Sequence, residues 1–231
     1  MEITWISIIV PVLNEAQVIS ESLAALAPLR ERGHEVIVVD GGSSDKTTDL
    51  ARRGADRVVS APRGRASQMN AGAALARGEV LVFLHADTRL PEGADARILQ
   101  GLAASGRSWG RFDVRIEGEN GLLPVIAFLM NLRSRATGIA TGDQAIFVRR
   151  DAFERAGRFP SLELMEDIAL TRSLKRVSRP LCLTDKAVTS GRRWERRGVL
   201  RTVLLKAWLR LAFFFGAAPA SLARFYDGER S

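Results

Sequence analysis

Apolar positions along the chain fall first into short, nearly unbroken runs and only later into alternating and helical patterns. Residues 3–12, 35–40 and 79–84 are almost continuous Ile, Val, Leu and Phe, with a weaker run at 56–60. Such runs are the pattern of strands buried on both faces of a parallel sheet. Residues 16–32, a stretch ending near Arg53, and an alanine-rich stretch entered at residues 62–72 and ending near Gly78 carry helical spacing between them. Strand, turn and helix in repetition predict a doubly wound α/β sheet with right-handed crossovers.

Past Thr88 the pattern changes. Residues 91–104 read as a helix, and 109–117 alternate with Phe112, Val114 and Ile116 on one face, as a half-exposed strand does. Residues 121–137 have helical length and an apolar face. A strand at 145–148 and a helix from Asp151 follow, then a helix from about residue 164 to about Arg176 and two weak strands around Leu181 and Val188. The last pattern, 199–215, is rich in Leu, Ala and Phe, and Lys206 and Arg210 stand four apart on one face, so this helix is amphipathic. The chain is therefore expected to be an α/β domain over 1–198 with a helical extension over 199–231. That extension packs on the domain, on a second copy of the chain (a homodimer) or on a membrane surface, for which Trp208, Phe213, Phe214 and Phe215 beside basic residues are suited.

Charge sharpens this picture. Lys and Arg number 34 against 26 Asp and Glu, a net charge of +8, and the excess is local: Arg192, Arg193, Arg196, Arg197, Arg201, Lys206 and Arg210 crowd near the end. A local cluster without interleaved aromatic rings favours a phosphate site or a membrane-facing end, and no nucleic-acid partner is expected. The single Cys182 excludes an intrachain disulfide and fits a reducing compartment. The apolar run at 6–13 has neither a basic residue before it nor a small-residue cleavage site after it, and no segment reaches the roughly 18 apolar residues of a spanning helix. A cytoplasmic protein is expected, peripheral at the inner face of the membrane if the last helix docks there.

The chemistry clusters at strand ends. The first, second and fourth strands end in Asn14-Glu15, in Asp40, and in His85 with Asp87, and in a parallel sheet such ends converge on one edge. Asp87 read alone is equally a helix cap, and His85 a space-filling ring. No G-x-G-x-x-G or P-loop is present, so phosphate handling falls to a cation and arginines. Asp87 with His85 can hold a divalent metal, and Arg65 and Arg193 can fork onto phosphate oxygens. Glu166-Asp167 is a second acidic pair. It either favours the positive end of a helix dipole or supplies a general base.

Pro11-Val12-Leu13-Asn14-Glu15, Val38-Val39-Asp40-Gly41-Gly42-Ser43-Ser44-Asp45-Lys46-Thr47, Asn70-Ala71-Gly72, His85-Ala86-Asp87, Glu166-Asp167 and Arg193-Trp194 stand in the order and rough spacing of family 2 glycosyltransferases of the GT-A fold. The resemblance covers about residues 4–195 and looks closest to small, single-domain bacterial members with a short hydrophobic C-terminus. It implies a Rossmann-like, mostly parallel sheet flanked by helices. It also implies inverting transfer of a sugar from a nucleotide diphosphate donor, UDP-linked, to a hydroxyl acceptor. By the resemblance, Pro11, Asn14 and Glu15 line the nucleotide pocket, Asp40 accepts from the uracil ring, and Arg65 and Asn70 border base and diphosphate. Asp87 resembles the metal-binding acid of a D-x-D motif, Asp167 with its neighbour Glu166 the base, and Gly142-Asp143-Gln144 the loop beneath acceptor and donor sugar. Arg193-Trp194 resembles the element that closes over the diphosphate. Two departures stand out: the first acid of D-x-D is His85, which favours Mn²⁺ over Mg²⁺, and no histidine follows it in the chain. A sugar-phosphate nucleotidyltransferase would need a glycine-rich loop after the first strand, which Pro11-Val12-Leu13-Asn14-Glu15 does not supply. A catalytically silent nucleotide-sugar binding protein would bind UDP without transfer.

Overall fold

The computed structural model of the chain describes residues 5–219 and 221–222. Its centre is an eight-stranded sheet: β1 (Ile6–Val12), β2 (Glu35–Asp40), β3 (Arg57–Ser60), β4 (Val80–Phe83), β5 (Thr88–Arg89), β6 (Trp109–Glu117), β7 (Ile146–Arg149) and β8 (Leu181–Ser190). The spatial order is β3-β2-β1-β4-β7-β6-β8-β5. The first half, β3-β2-β1-β4, is parallel. From β4 outward β7 runs antiparallel to both its neighbours, while β6 and β8 pair in parallel.

Helices α1 (Ile19–Glu31), α2 (Thr47–Ala51) and α4 (Ala94–Ser105) cover one face of the sheet, and α3 (Arg65–Leu75), α6 (Arg150–Arg155) and α7 (Glu166–Val177) the other. In β1 the alternation divides between two cores. Ile8 and Val10 pack with Leu23, Leu26 and Ile98, whereas Ile9 packs with Met69, Ala73 and Leu170. Both faces being covered is why these strands carry no polar alternation. Helix α3 lies close enough that a Cβ on Gly72 would stand 2.5 Å from Ile9 Cγ2. A Cβ there would force Ile9 or Val39 to shift.

The sheet differs from expectation at its outer edge. The two weak strands around Leu181 and Val188 are one strand, β8, with a register shift opposite Phe112 and Asp113. Polar Thr184 and Asp185 sit at that irregularity and break the apolar pattern by which a strand is read. The two-residue β5 pairs with β8 at Thr88 and Arg89 and has no pattern of its own.

The remaining helices are α5 (Leu123–Thr137), α8 (Arg192–Arg197) and α9 (Val199–Phe214). Helix α9 packs against the domain at both ends. Val199 and Val203 join Trp194, Leu123, Ala127 and Met130 in one cluster, and Leu209 joins Met165 and Leu222 in another.

Candidate functional site

The carboxyl ends of β1 and β2 are locked by a polar loop. Asn14 adopts a left-handed conformation (φ 54°), in which its side-chain oxygen accepts from Ser44 N at 2.9 Å and its own N–H donates to Ser43 Oγ at 2.9 Å. The buried Asp40 carboxylate accepts from the Gly42 and Ser43 N–H groups, each at 3.0 Å, and from the Ser43 hydroxyl at 2.5 Å. The Glu15 N–H donates to Thr47 Oγ1 at 2.8 Å. Gln68, which the sequence reading did not single out, donates its amide to Val12 O and Val39 O at 2.8 Å each and so ties the two strand ends together. Asn70 closes a two-way bond with the Phe159 backbone, donating to its carbonyl at 2.8 Å and accepting from its N–H at 3.1 Å.

At the end of β4 the chain enters a cleft. Arg65, His85, Asp87, Gly142, Asp143, Glu166, Asp167 and Trp194 all line it. Pro11, Asn14, Glu15, Asp40, Asn70 and Gln144 do not line this cleft. The first four stand at the β1 and β2 ends, and Gln144 is fully buried, its oxygen accepting from Thr141 N at 3.3 Å and its amide donating to Asn131 Oδ1 at 3.4 Å. Gln144 therefore shapes the short 3-10 turn Gly142–Gln144 from within. The side chain of Arg193 lies outside the described residues.

Helix α7 begins abruptly. Met165 is left-handed (φ 68°), as is Ala145 (φ 47°) at the end of the 3-10 turn. Non-glycine residues held there are strained, and such strain collects at sites that a surrounding structure fixes in place. Immediately after Met165, Asp167 accepts from Ile168 N at 2.7 Å and from Gly142 N at 2.9 Å. One carboxylate thus accepts from the first turn of its own helix and from the 3-10 turn that faces it.

The acids of the cleft are held in different environments. Glu166 is 4% exposed, and burial, reinforced by the Asp167 charge, pushes its carboxyl up to about 7 against the pull of Arg65 and His85. Burial also disfavours charge on Asp143, but the His85 ring, Lys206 and Arg65 outweigh it and hold that carboxyl well below the usual range. His85 Nδ1 lies 3.3 Å from Asp143 Oδ1. On the other side of the ring, a Cβ on Gly142 would come within 2.3 Å of Nε2. The imidazole is wedged between Gly142 and Asp143.

Sequence reasoning left Lys206 and Arg210 out of the site, yet both line the cleft from α9. Lys206 Nζ stands 3.9 Å from the Trp194 ring centroid, a cation–π contact. Their spacing of four was the available signal; what it lacked was a partner to face. Arg133 of α5 is not among the residues lining the cleft, but its charge is felt by the groups there. Burial pushes its guanidinium down to about 10, the Arg210 charge adds to this, and Asp167 opposes it. Its Nε and Nη2 are buried without a hydrogen-bond partner among the described residues.

A divalent cation finds limited protein ligation here. Among the described residues no three His, Cys, Asp or Glu side chains form a metal-binding group. His85 Nδ1 faces Asp143, and Asp87 lines the cleft with Glu166 and Asp167. This fits an ion that takes most of its oxygens from a diphosphate and water, the usual manner of Mg²⁺ with nucleotides.

The sequence profile described as glycosyl transferase family 2 matches residues 7–157. An undecaprenyl-phosphate 4-deoxy-4-formamido-L-arabinose transferase of Pseudomonas syringae is 28% identical over 172 residues, 64% of this chain and 47% of that protein. The chain thus spans about half the length of that relative. Among solved structures, S. aureus TarS residues 1–349 in complex with UDP-GlcNAc superposes with a TM-score of 0.66 at 22% identity, covering 80% of this chain and 58% of that one. The mannosyltransferase PcManGT of Pyrobaculum calidifontis, in complex with GDP-Man and Mn²⁺, superposes with a TM-score of 0.59 at 25% identity, covering 79% and 56%.

Proposed function

The chain belongs to glycosyl transferase family 2, and from that membership we propose that it is an inverting glycosyltransferase moving a sugar from a UDP-linked donor to a hydroxyl acceptor, with Asp167 as general base. The observation that carries this reading is the joining, in one cleft, of Asp87 from the end of β4, Glu166 and Asp167 from the start of α7, and the cations Arg65, Lys206 and Arg210. The acceptor oxygen forms a bond to the anomeric carbon as the bond from that carbon to the diphosphate oxygen breaks, and the hydroxyl proton passes to the Asp167 carboxylate. Displacement from the opposite face inverts the anomeric centre. Arg65 and Lys206 stabilise charge growing on the diphosphate, a preorganised electrostatic contribution.

Asp87 would hold a divalent ion, Mn²⁺ or Mg²⁺, which when bound neutralises the leaving diphosphate. The nucleotide sugars and Mn²⁺ in the superposed structures support the donor class and the cation. The polar loop at Asn14, Asp40 and Gln68 is the proposed nucleotide end, and Gly142 with Asp143 the sugar and acceptor end. Residues 1–198 and the helix beginning at 199 act as one unit, because α9 contributes Lys206 and Arg210.

The test is thermal unfolding with UDP, with and without Mn²⁺. At one hundred times its dissociation constant a ligand adds about 2.7 kcal/mol, which raises Tm by roughly 5–10 °C in a chain of this size. Asp87→Ala should reduce the Mn²⁺-dependent part of that shift. No shift with any nucleotide would sink the donor assignment.

A further inference from the structure

Helices α5 and α9 leave apolar faces in solvent. In α5 and its preceding residue, Leu122, Val125, Leu129 and Leu132 share one face and are 43% to 55% exposed, opposite the buried Leu123, Ala127, Met130 and Ser134. In α9, Leu204, Trp208, Leu211 and Phe214 are 49% to 70% exposed, opposite the buried Thr202 and Leu209. The two helices are neighbours through Val199 and Val203 on one and Ile126, Ala127 and Met130 on the other. Exposed apolar faces on two neighbouring helices mark an interaction site rather than ordinary surface scatter.

Charge selects the occupant. Neither helix contains an acidic residue, whereas the exposed Arg135 and Arg201 lie on them and the exposed Arg192 of α8 stands at the same end of the chain. A two-fold contact with a second copy would set this basic surface against itself. An anionic bilayer complements it, and aromatic and basic side chains beside an apolar face suit a helix lying in the interface. No helix among the described residues is long and apolar enough to cross a membrane.

The inner flanks of the same helices carry Arg133 and Arg210. Both lie within electrostatic reach of Asp167, Arg210 lines the cleft, and two Arg133 nitrogens are buried without a partner among the described residues. A buried guanidinium group without a partner is costly unless an anion joins it, and its planar fork matches phosphate oxygens. We propose that α5 and α9 seat the enzyme on an anionic bilayer, and that the acceptor is a lipid of that bilayer whose phosphate is held by Arg133 and Arg210 while its headgroup hydroxyl meets Asp167. The acceptor part rests on the glycosyltransferase reading; the docking part does not.

Flotation with vesicles of phosphatidylcholine, with or without phosphatidylglycerol, tests the docking. The protein should float with the anionic vesicles and not with phosphatidylcholine alone. Leu129→Gln with Leu211→Gln should lower the bound fraction about tenfold or more, as removal of buried apolar area predicts, while the UDP-induced Tm shift is unchanged. Incubating the anionic vesicles with a panel of labelled UDP-sugars and Mn²⁺ should carry label into the lipid phase. Arg133→Gln should float and bind UDP like the wild type yet lose that label. The docking proposal fails if the wild type does not float, or if light scattering finds a dimer that Leu129→Gln with Leu211→Gln dissociates. The acceptor proposal fails if UDP binds but no lipid is labelled, or if Arg133→Gln labels lipid at the wild-type rate. Absence of any UDP-induced shift instead overturns the donor reading and leaves the flotation result to stand by itself.

Discussion

Glu166 and Asp167 are adjacent in sequence but sit in different surroundings. Asp167 accepts two backbone N–H bonds, whereas Glu166 is buried and keeps its proton to about pH 7. An unfolded chain releases that proton near 4.5, so the folded state binds more protons between these values. Stability must therefore fall as pH rises from about 4.5 to about 7 and remain lower above. Glu166→Gln, a neutral isostere, should raise the unfolding free energy at pH 8 by about 1–3 kcal/mol and change it little at pH 4.5, as read from urea unfolding at both pH values. Gly142 and His85 give a second residue-level prediction. The Cβ of Gly142→Ala meets the ring, which should cost about 1–3 kcal/mol. Adding His85→Ala should return part of that loss, a non-additivity that a double-mutant cycle measures. Asp87, Glu166 and Asp167 were legible in the sequence as strand-end and helix-start acids. The engagement of His85 by Asp143 was not, because it depends on a turn 57 residues further on whose approach no local pattern reveals.

Among elements, β1, β2, β4 and α3 build the frame. Their apolar runs were legible because strands covered on both faces need no polar positions. The outer strands were read less well: β8 is interrupted by the irregularity at residues 184–185, and β5 is two residues whose pairing is decided by β8. The contact of α3 with the sheet through Gly72 is the element-level test. Gly72→Ala should destabilise by about 1–3 kcal/mol through overpacking against Ile9 and Val39. Gly121→Ala, where a Cβ meets nothing within 4 Å, should stay within about 0.5 kcal/mol. Chemical denaturation of the two variants compares them directly. Helix α9 shows the same limit in reverse. Its amphipathic face was plain in the sequence, but that Lys206 and Arg210 face the cleft follows from how Val199 and Leu209 dock at either end of the helix.

At the scale of the whole molecule, a parallel half-sheet presents a polar loop at Asn14 and Asp40, and the mixed half, with α7 and α9, encloses acids and cations beside it. Family membership rests on residues 7–157, whereas Asp167, Lys206 and Arg210 lie beyond that span. The proposed mechanism therefore depends on Asp167 as the base. General-base removal costs about 10²–10⁴ in rate. The direct measurement is UDP release from a panel of UDP-sugars in Mn²⁺ with anionic vesicles, comparing the wild type and Asp167→Asn at saturating donor. UDP release by the wild type is expected, with a fall of about 10²–10⁴ in kcat for Asp167→Asn and the UDP-induced Tm shift preserved. Release by Asp167→Asn at near the wild-type rate would contradict Asp167 as the base.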